Sequence, residues 1–255
     1  MRIAGRGPSR LDAHRRHDRH EMKWESFADY ASLSTRAAEI LLDGISANPH
    51  AVLGLPTGRT PIGMYERVVI ECAHEYRCFR DVHTFNLDEY VGIGASHPGS
   101  YAAYMRERLF SHVDLRPANA HIPNGKASDL AVECVRYEED MRKAGGLGLT
   151  FLGLGRNGHI GFNEPGTPFT SRTRVVELTE STRHANADLF PDGRVPTRAI
   201  TMGIATILSS QRIIVLASGG SKRDAVERLR SGAVDDRFPA SALWNHRDVT
   251  VLVST

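Results

Sequence analysis

Ala51-Val52-Leu53-Gly54-Leu55, then Pro56-Thr57-Gly58-Arg59-Thr60-Pro61, then Ile62 to about Ala73 is the stretch from which the rest of the chain is read. An uninterrupted apolar run closed by a proline is the pattern of a short strand buried on both sides, and Pro61 sits where a first helical turn tolerates it. Together they make one β-loop-α unit. On its N-terminal side Phe27, Tyr30, Ala31, Leu33, Ala37, Ile40, Leu41 and Ile45 recur at three- and four-residue spacing, which predicts an amphipathic helix ending before Asn48-Pro49. On its C-terminal side strands are predicted at Val82 to Leu87, Leu149 to Leu154, about Arg174 to Leu178, Arg212 to Ala217 and Val249 to Val253, with helices that include Val132 to Lys143 and Lys222 to Arg230. Strands alternating with helices predict a largely parallel sheet. No repeat, low-complexity tract or long linker divides the chain. The expectation is one α/β domain over residues 22–255, a Rossmann-like open, mostly parallel sheet with helices on both faces.

Composition bounds the function. With 41% hydrophobic and 24% charged residues in 255, the chain is too apolar for disorder, and its longest apolar runs, such as Ile213-Ile214-Val215-Leu216-Ala217, are strand-sized. No membrane partner is expected. Cys72, Cys78 and Cys134 form no paired framework, which points to a reducing cytoplasm. Residues 1–21 hold six arginines against Asp12, Asp18 and Glu21, a local +3 within a total of +2, so the remainder carries −1. The composition of 1–21 predicts a disordered basic extension; a nucleic-acid arm and a true start at Met22, read as directly preceding the first helix, are the alternatives. A body of net charge −1 argues against a nucleic-acid partner.

In open α/β sheets ligands bind beyond the carboxyl ends of the strands, so the loops there carry the chemistry. Thr57, Gly58, Arg59 and Thr60 offer a flexible backbone, two hydroxyls and a cation ahead of a helix N-terminus, the makings of a phosphate cradle. A tight turn with a threonine cap is the other reading. No Gly-Lys-Ser/Thr follows, so this is not a Walker loop. Phe85-Asn86-Leu87-Asp88-Glu89-Tyr90 delivers two carboxylates into the crevice, where burial raises a carboxyl toward neutrality and suits it to act as a base; a cap or solvated acid is the plainer role. Gly153-Leu154-Gly155-Arg156-Asn157-Gly158 has the spacing of a dinucleotide fingerprint, but Gly161 and Pro165 forbid the helix that motif requires and no acid closes a next strand. Instead, this loop brings His159, Asn157 and Glu164 together as a proton-sharing group. Ser218-Gly219-Gly220-Ser221-Lys222 supplies Lys222 as a second anion contact or a surface lysine. Metal binding is not expected: the best spacing, Cys72-x-His74-x3-Cys78, lies on a helix end far from other ligands. No Gly-x-Ser-x-Gly elbow offers a serine nucleophile.

Leu53-Gly54-Leu55-Pro56-Thr57-Gly58, Thr84 to Gly92, Gly155 to Pro165, Ser171-Arg172-Thr173 and Phe238-Pro239-Ala240-Ser241-Ala242-Leu243 together resemble the glucosamine-6-phosphate deaminase family, over about residue 24 to the C-terminus. The likeness is greatest to its short bacterial branch. The resemblance implies hydrolytic deamination of glucosamine 6-phosphate to fructose 6-phosphate and ammonia by aldose-ketose isomerisation, without a cofactor. It implies that Asp88 moves the proton between C2 and C1. It gives His159 the opening of the pyranose ring, assisted by Glu164 and Asn157, and makes the region around residues 178–198 a mobile lid.

Two positions depart from the family pattern. Arg59 stands where relatives usually have a second glycine, and Asp188 stands where they have an arginine that grips the phosphate. Either Arg59 replaces that arginine and binds phosphate with Lys222, or Arg59 pairs with Asp188, closes the anion pocket and shifts preference to an amino sugar without a 6-phosphate or with a different acid group. A 6-phosphogluconolactonase shares the fold but would differ after the histidine and carry an arginine after Asp88-Glu89. A non-catalytic sugar-phosphate sensor would not need Asp88, His159 and Glu164 together.

Overall fold

The computed structural model describes residues 21–74, 79–190 and 193–254. Its main sheet has seven strands, all parallel, in the order β1 (Lys23–Phe27), β10 (Val249–Ser254), β9 (Arg212–Ser218), β6 (Leu149–Gly153), β2 (Val52–Leu55), β3 (His83–Asn86) and β5 (Ala120–His121). Neighbouring side chains on a strand point to opposite faces, and the two cores follow that alternation. Ile213, Val215 and Ala217 of β9 pack with Tyr137 and Met141 of α4 (Leu130–Lys143) and Val226 and Leu229 of α7 (Arg223–Arg230). Ile214 and Leu216 face the other way, onto Leu33, Ala37 and Leu41 of α1 (Tyr30–Ala47) and Met64 and Val68 of α2 (Ile62–His74). Helices therefore cover both faces.

The sheet runs outward in two directions from β2 and β6, and this reversal places the loops after β2, β6 and β9 side by side at the carboxyl edge. A second, antiparallel sheet orders β4 (Asp88–Tyr90), β8 (Arg198–Thr201) and β7 (Arg174–Glu177). Only Leu87 separates β4 from β3, so this small sheet hangs from the end of the main one. Tyr90, Tyr101, Phe162 and Phe190 form its own apolar cluster.

Three expectations are corrected. The periodic run from Phe27 is not one helix: Lys23–Phe27 is an edge strand paired with β10, and the helix starts at Tyr30 after Asp29, whose carboxylate accepts from the Ser32 amide at 2.7 Å. Met22 accordingly precedes a strand and is buried. The strand at Arg174 does not join the parallel sheet but pairs antiparallel with β8, a strand that local periodicity did not reveal. Finally, Lys222 closes a single 3₁₀ turn ahead of α7 rather than lying within it. The expected disorder of residues 1–21 concerns a segment of which 1–20 lie outside the described residues, as does Cys78 of the cysteine-histidine spacing. Among the described residues no group of three or more His, Cys, Asp or Glu could hold a metal ion, and no helix is long and apolar enough to cross a membrane.

Candidate active site

The three adjacent loops and the start of the small sheet enclose a cavity of about 580 Å³, room for one monosaccharide-sized ligand. Thr57, Gly58, Arg59, Thr60, Asp88, Asn157, His159 and Lys222 all line it; of the residues singled out in the sequence, Glu89 does not, and Glu164 stands immediately behind Asn157 and His159.

The cradle is built by tyrosines. The Tyr65 hydroxyl donates to Pro56 O at 2.6 Å, Tyr104 to Gly58 O at 2.6 Å and Tyr30 to Thr60 O at 3.0 Å. With these carbonyls occupied, the amides of residues 57–60 have no hydrogen-bond acceptor among the described residues. The cradle thus turns its backbone amides toward a ligand, as anion recognition requires. Gly58 makes this possible with φ at +94°, where a side chain is strained.

The adjacent carboxylates part company. Successive β4 side chains alternate in direction, so only Asp88 reaches the cavity. Glu89 points away and accepts from the amides of Tyr90, Tyr101 and Ala102 at 2.8, 3.0 and 2.9 Å, holding the start of the short helix α3 (Tyr101–Met105). The expectation that both acids enter the crevice is therefore corrected. Asp88 is 5% exposed, and no donor among the described residues reaches its carboxylate. Burial, with a smaller push from Glu89, raises it to about 8.

The glycine loop makes a turn and no helix, as its glycines and Pro165 required. A Cβ at Gly155 would fall 2.4 Å from the His159 ring, so the ring lies directly on that backbone. A Cβ at Gly161 would lie 3.3 Å from Asp88 Oδ2, so the loop and the carboxylate meet there. Asn157 Nδ2 donates to Glu164 Oε2 at 2.8 Å, which orients the amide with its oxygen toward His159 Nδ1 at 2.7 Å. That oxygen can only accept, so Nδ1 carries the proton and Nε2 is left with its lone pair and no protein partner among the described residues. Burial, reinforced by Lys222 and opposed by Glu164, holds the imidazole below its ordinary range, hence neutral near pH 7. Gly158 adopts φ of +85°, and a Cβ there would fall 2.2 Å from the buried ring of Phe238. Gly158→Ala is expected to cost about 3 kcal/mol, read as a lower urea midpoint.

One further segment lines the cavity through Ser181, Thr182 and Asn186. Thr182 of α5 (Glu180–Ala185) donates to Glu164 Oε1 at 2.6 Å, and Asp188 accepts from Arg59 Nη2 at 2.7 Å. The Arg59–Asp188 pair expected as one of two outcomes is therefore formed. It does not strip the cavity of positive charge: Lys222 and Arg156 line it as well, and Asp188 is not part of the wall. Both members of the pair are about 80% exposed, so its contribution to stability is small. Sequence reasoning missed Arg156, though it stood between the quoted glycines, and Thr182, whose contact spans 18 residues and leaves no local signal.

Residues 27–252 match the family described as glucosamine-6-phosphate isomerases/6-phosphogluconolactonase. The glucosamine-6-phosphate deaminase of Lysinibacillus sphaericus is 49% identical over 232 residues, 91% of this chain and 98% of its own length. Glucosamine-6-phosphate deaminase 1 of Bacillus subtilis is 51% identical over 91% and 96%. The solved structure of a monomeric glucosamine-6-phosphate deaminase superposes with a TM-score of 0.89 at 51% identity, covering 91% of this chain and 97% of that one. The 6-phosphogluconolactonase of Thermotoga maritima superposes at 0.73 with 17% identity over 92% and 100%, a likeness of fold alone.

Proposed function

The chain belongs to the family of glucosamine-6-phosphate isomerases and 6-phosphogluconolactonases, and from that membership we infer a hydrolytic deaminase that converts glucosamine 6-phosphate to fructose 6-phosphate and ammonia. The relatives at about 50% identity over nine-tenths of the chain are deaminases, which places it on that side of the family. The observation that carries the reading is one cavity lined by the cradle of Thr57 to Thr60, Lys222 and His159 together with Asp88, a buried carboxylate that no donor among the described residues reaches.

The substrate's phosphate lies on the amides of Thr57 to Thr60 with Lys222, which fixes the sugar by an end that takes no part in bond changes. His159 Nε2 accepts the proton of the anomeric hydroxyl and returns it to the ring oxygen, opening the pyranose. Asn157 and Glu164 hold the imidazole in the tautomer that this exchange needs. Asp88 then removes the proton from C2 of the open-chain amino-aldehyde. No donor among the described residues reaches its carboxylate to blunt its basicity. The same carboxyl returns the proton to C1 while a proton passes from the amino group to O1, leaving a C1 hydroxymethyl and a C2 imine; water adds to C2 and ammonia leaves, giving the ketone. We place this reaction in the cytoplasm, with a sugar phosphate as the small-molecule partner.

The Arg59–Asp188 pair favours a second reading, in which an amino sugar without a phosphate is preferred. Ammonia release from glucosamine 6-phosphate and from glucosamine, side by side, decides between them. We expect at least a hundredfold higher kcat/KM for the phosphorylated sugar. Comparable rates would give the site to the unphosphorylated sugar, and no release from either would defeat the deaminase reading.

A further inference from the structure

The cations of the cavity are not equivalent. Arg59 is held by Asp188, whereas Arg156 and Lys222 have no acidic partner among the described residues. Their loops are neighbours by construction. Arg156 follows the end of β6 and Lys222 the end of β9, two parallel strands paired from Leu149↔Arg212 to Gly153↔Leu216. The cradle follows β2, which pairs with β6 on its other side. The loop carrying Arg156 thus emerges between Lys222 and the cradle. The two side chains feel each other: the Lys222 ammonium is held below its ordinary range first by partial burial and then by the Arg156 guanidinium. Half-buried Lys222 and exposed Arg156 on the same cavity wall are two uncompensated cations that repel until an anion arrives, and a phosphomonoester dianion satisfies both at once.

We propose that Arg156 is a specificity-determining residue, which with Lys222 and the cradle amides binds the substrate's phosphate, while Arg59 is spent on Asp188 in joining the cradle to residues 180–190. This rests on the deaminase reading for the identity of the substrate, but the subsite itself stands on the cavity wall. Planar guanidinium N–H pairs at Arg156 supply the bidentate grip that a lysine cannot. The departure at Asp188 is then harmless, because the arginine expected there has a substitute on the neighbouring loop.

The test measures the KM for glucosamine 6-phosphate and the affinity for inorganic phosphate, by calorimetry, in the parent chain, Arg156→Ala, Arg156→Lys and Arg59→Ala. Arg156→Ala is expected to raise KM and to weaken phosphate binding about tenfold or more, with kcat within about threefold of the parent. Arg156→Lys recovers part of the loss. A larger rise in Arg59→Ala than in Arg156→Ala would overturn the proposal, as would unchanged phosphate affinity in Arg156→Ala. Should the parent fail to release ammonia, the deaminase reading falls, while the phosphate titration still decides the subsite.

Discussion

Asp88→Asn is expected to lower ammonia release from glucosamine 6-phosphate by about three orders of magnitude or more, and at pH 8 to yield a more stable protein than its parent. The loss follows from chemistry: a positioned general base is worth roughly 10² to 10⁴ in rate, and the isosteric amide cannot take a proton from C2. The gain follows from burial. Asp88 titrates near 8 in the folded chain against an ordinary aspartate value of 3.8, so between about pH 4 and 8 the folded state holds a proton that the unfolded state has released. Stability contributed by this group is therefore full at low pH and lost as pH rises through that window. An asparagine carries no such burden. At about 1.4 kcal/mol per pH unit the difference reaches several kcal/mol by pH 8, roughly 10 °C in thermal midpoint for a domain of this size. Melting curves of both proteins at pH 4.5 and pH 8 check it: the gap should open with rising pH. A variant less stable at both values would remove the buried carboxyl from the account. The same titration sets the acid limb of the parent's kcat/KM near pH 8 rather than near 4, since the base works ionised.

His159→Gln is expected to reduce kcat by about 10² to 10³ with little change in the affinity for inorganic phosphate. Glutamine can fill the space over Gly155, but no amide takes and returns a proton at neutral pH. Asn157→Leu, which keeps the imidazole and releases its tautomer, should lose about tenfold, because Glu164 lies 4.0 Å from His159 Nδ1 and orients the ring only through the amide. Equal losses in the two variants would make His159 a structural residue. Retention of phosphate binding in both separates failed chemistry from a collapsed cavity.

Much of this site was legible in the order of residues alone. The β-loop-α unit at Ala51 to Ala73 has a local period and a local punctuation, and both survive in β2 and α2 almost residue for residue. The dinucleotide reading of Gly153 to Gly158 could be refused from Gly161 and Pro165 alone. What misled was also local: Phe27 fits the helical period of the residues after it, yet its strand partner, Ser254 on β10, lies more than two hundred residues away. The same distance hid the small sheet, whose strands become strands by pairing with one another.

Residue types, their order and the periods they keep determined the parallel sheet, its crevice and the set of groups delivered there, because backbone preference and side-chain alternation act over a few residues. Which groups reach the cavity was decided only in three dimensions. Asp88 and Glu89 are equal in sequence until pairing of β4 with β8 turns one into a cavity and the other onto amide donors. Arg59 and Arg156 are both cations on crevice loops until Asp188, 129 positions from Arg59, engages one of them and strand order sets the other beside Lys222. Charge and hydrogen bonding act through space over a few ångströms, and separation along the chain says nothing of that distance until the chain has folded.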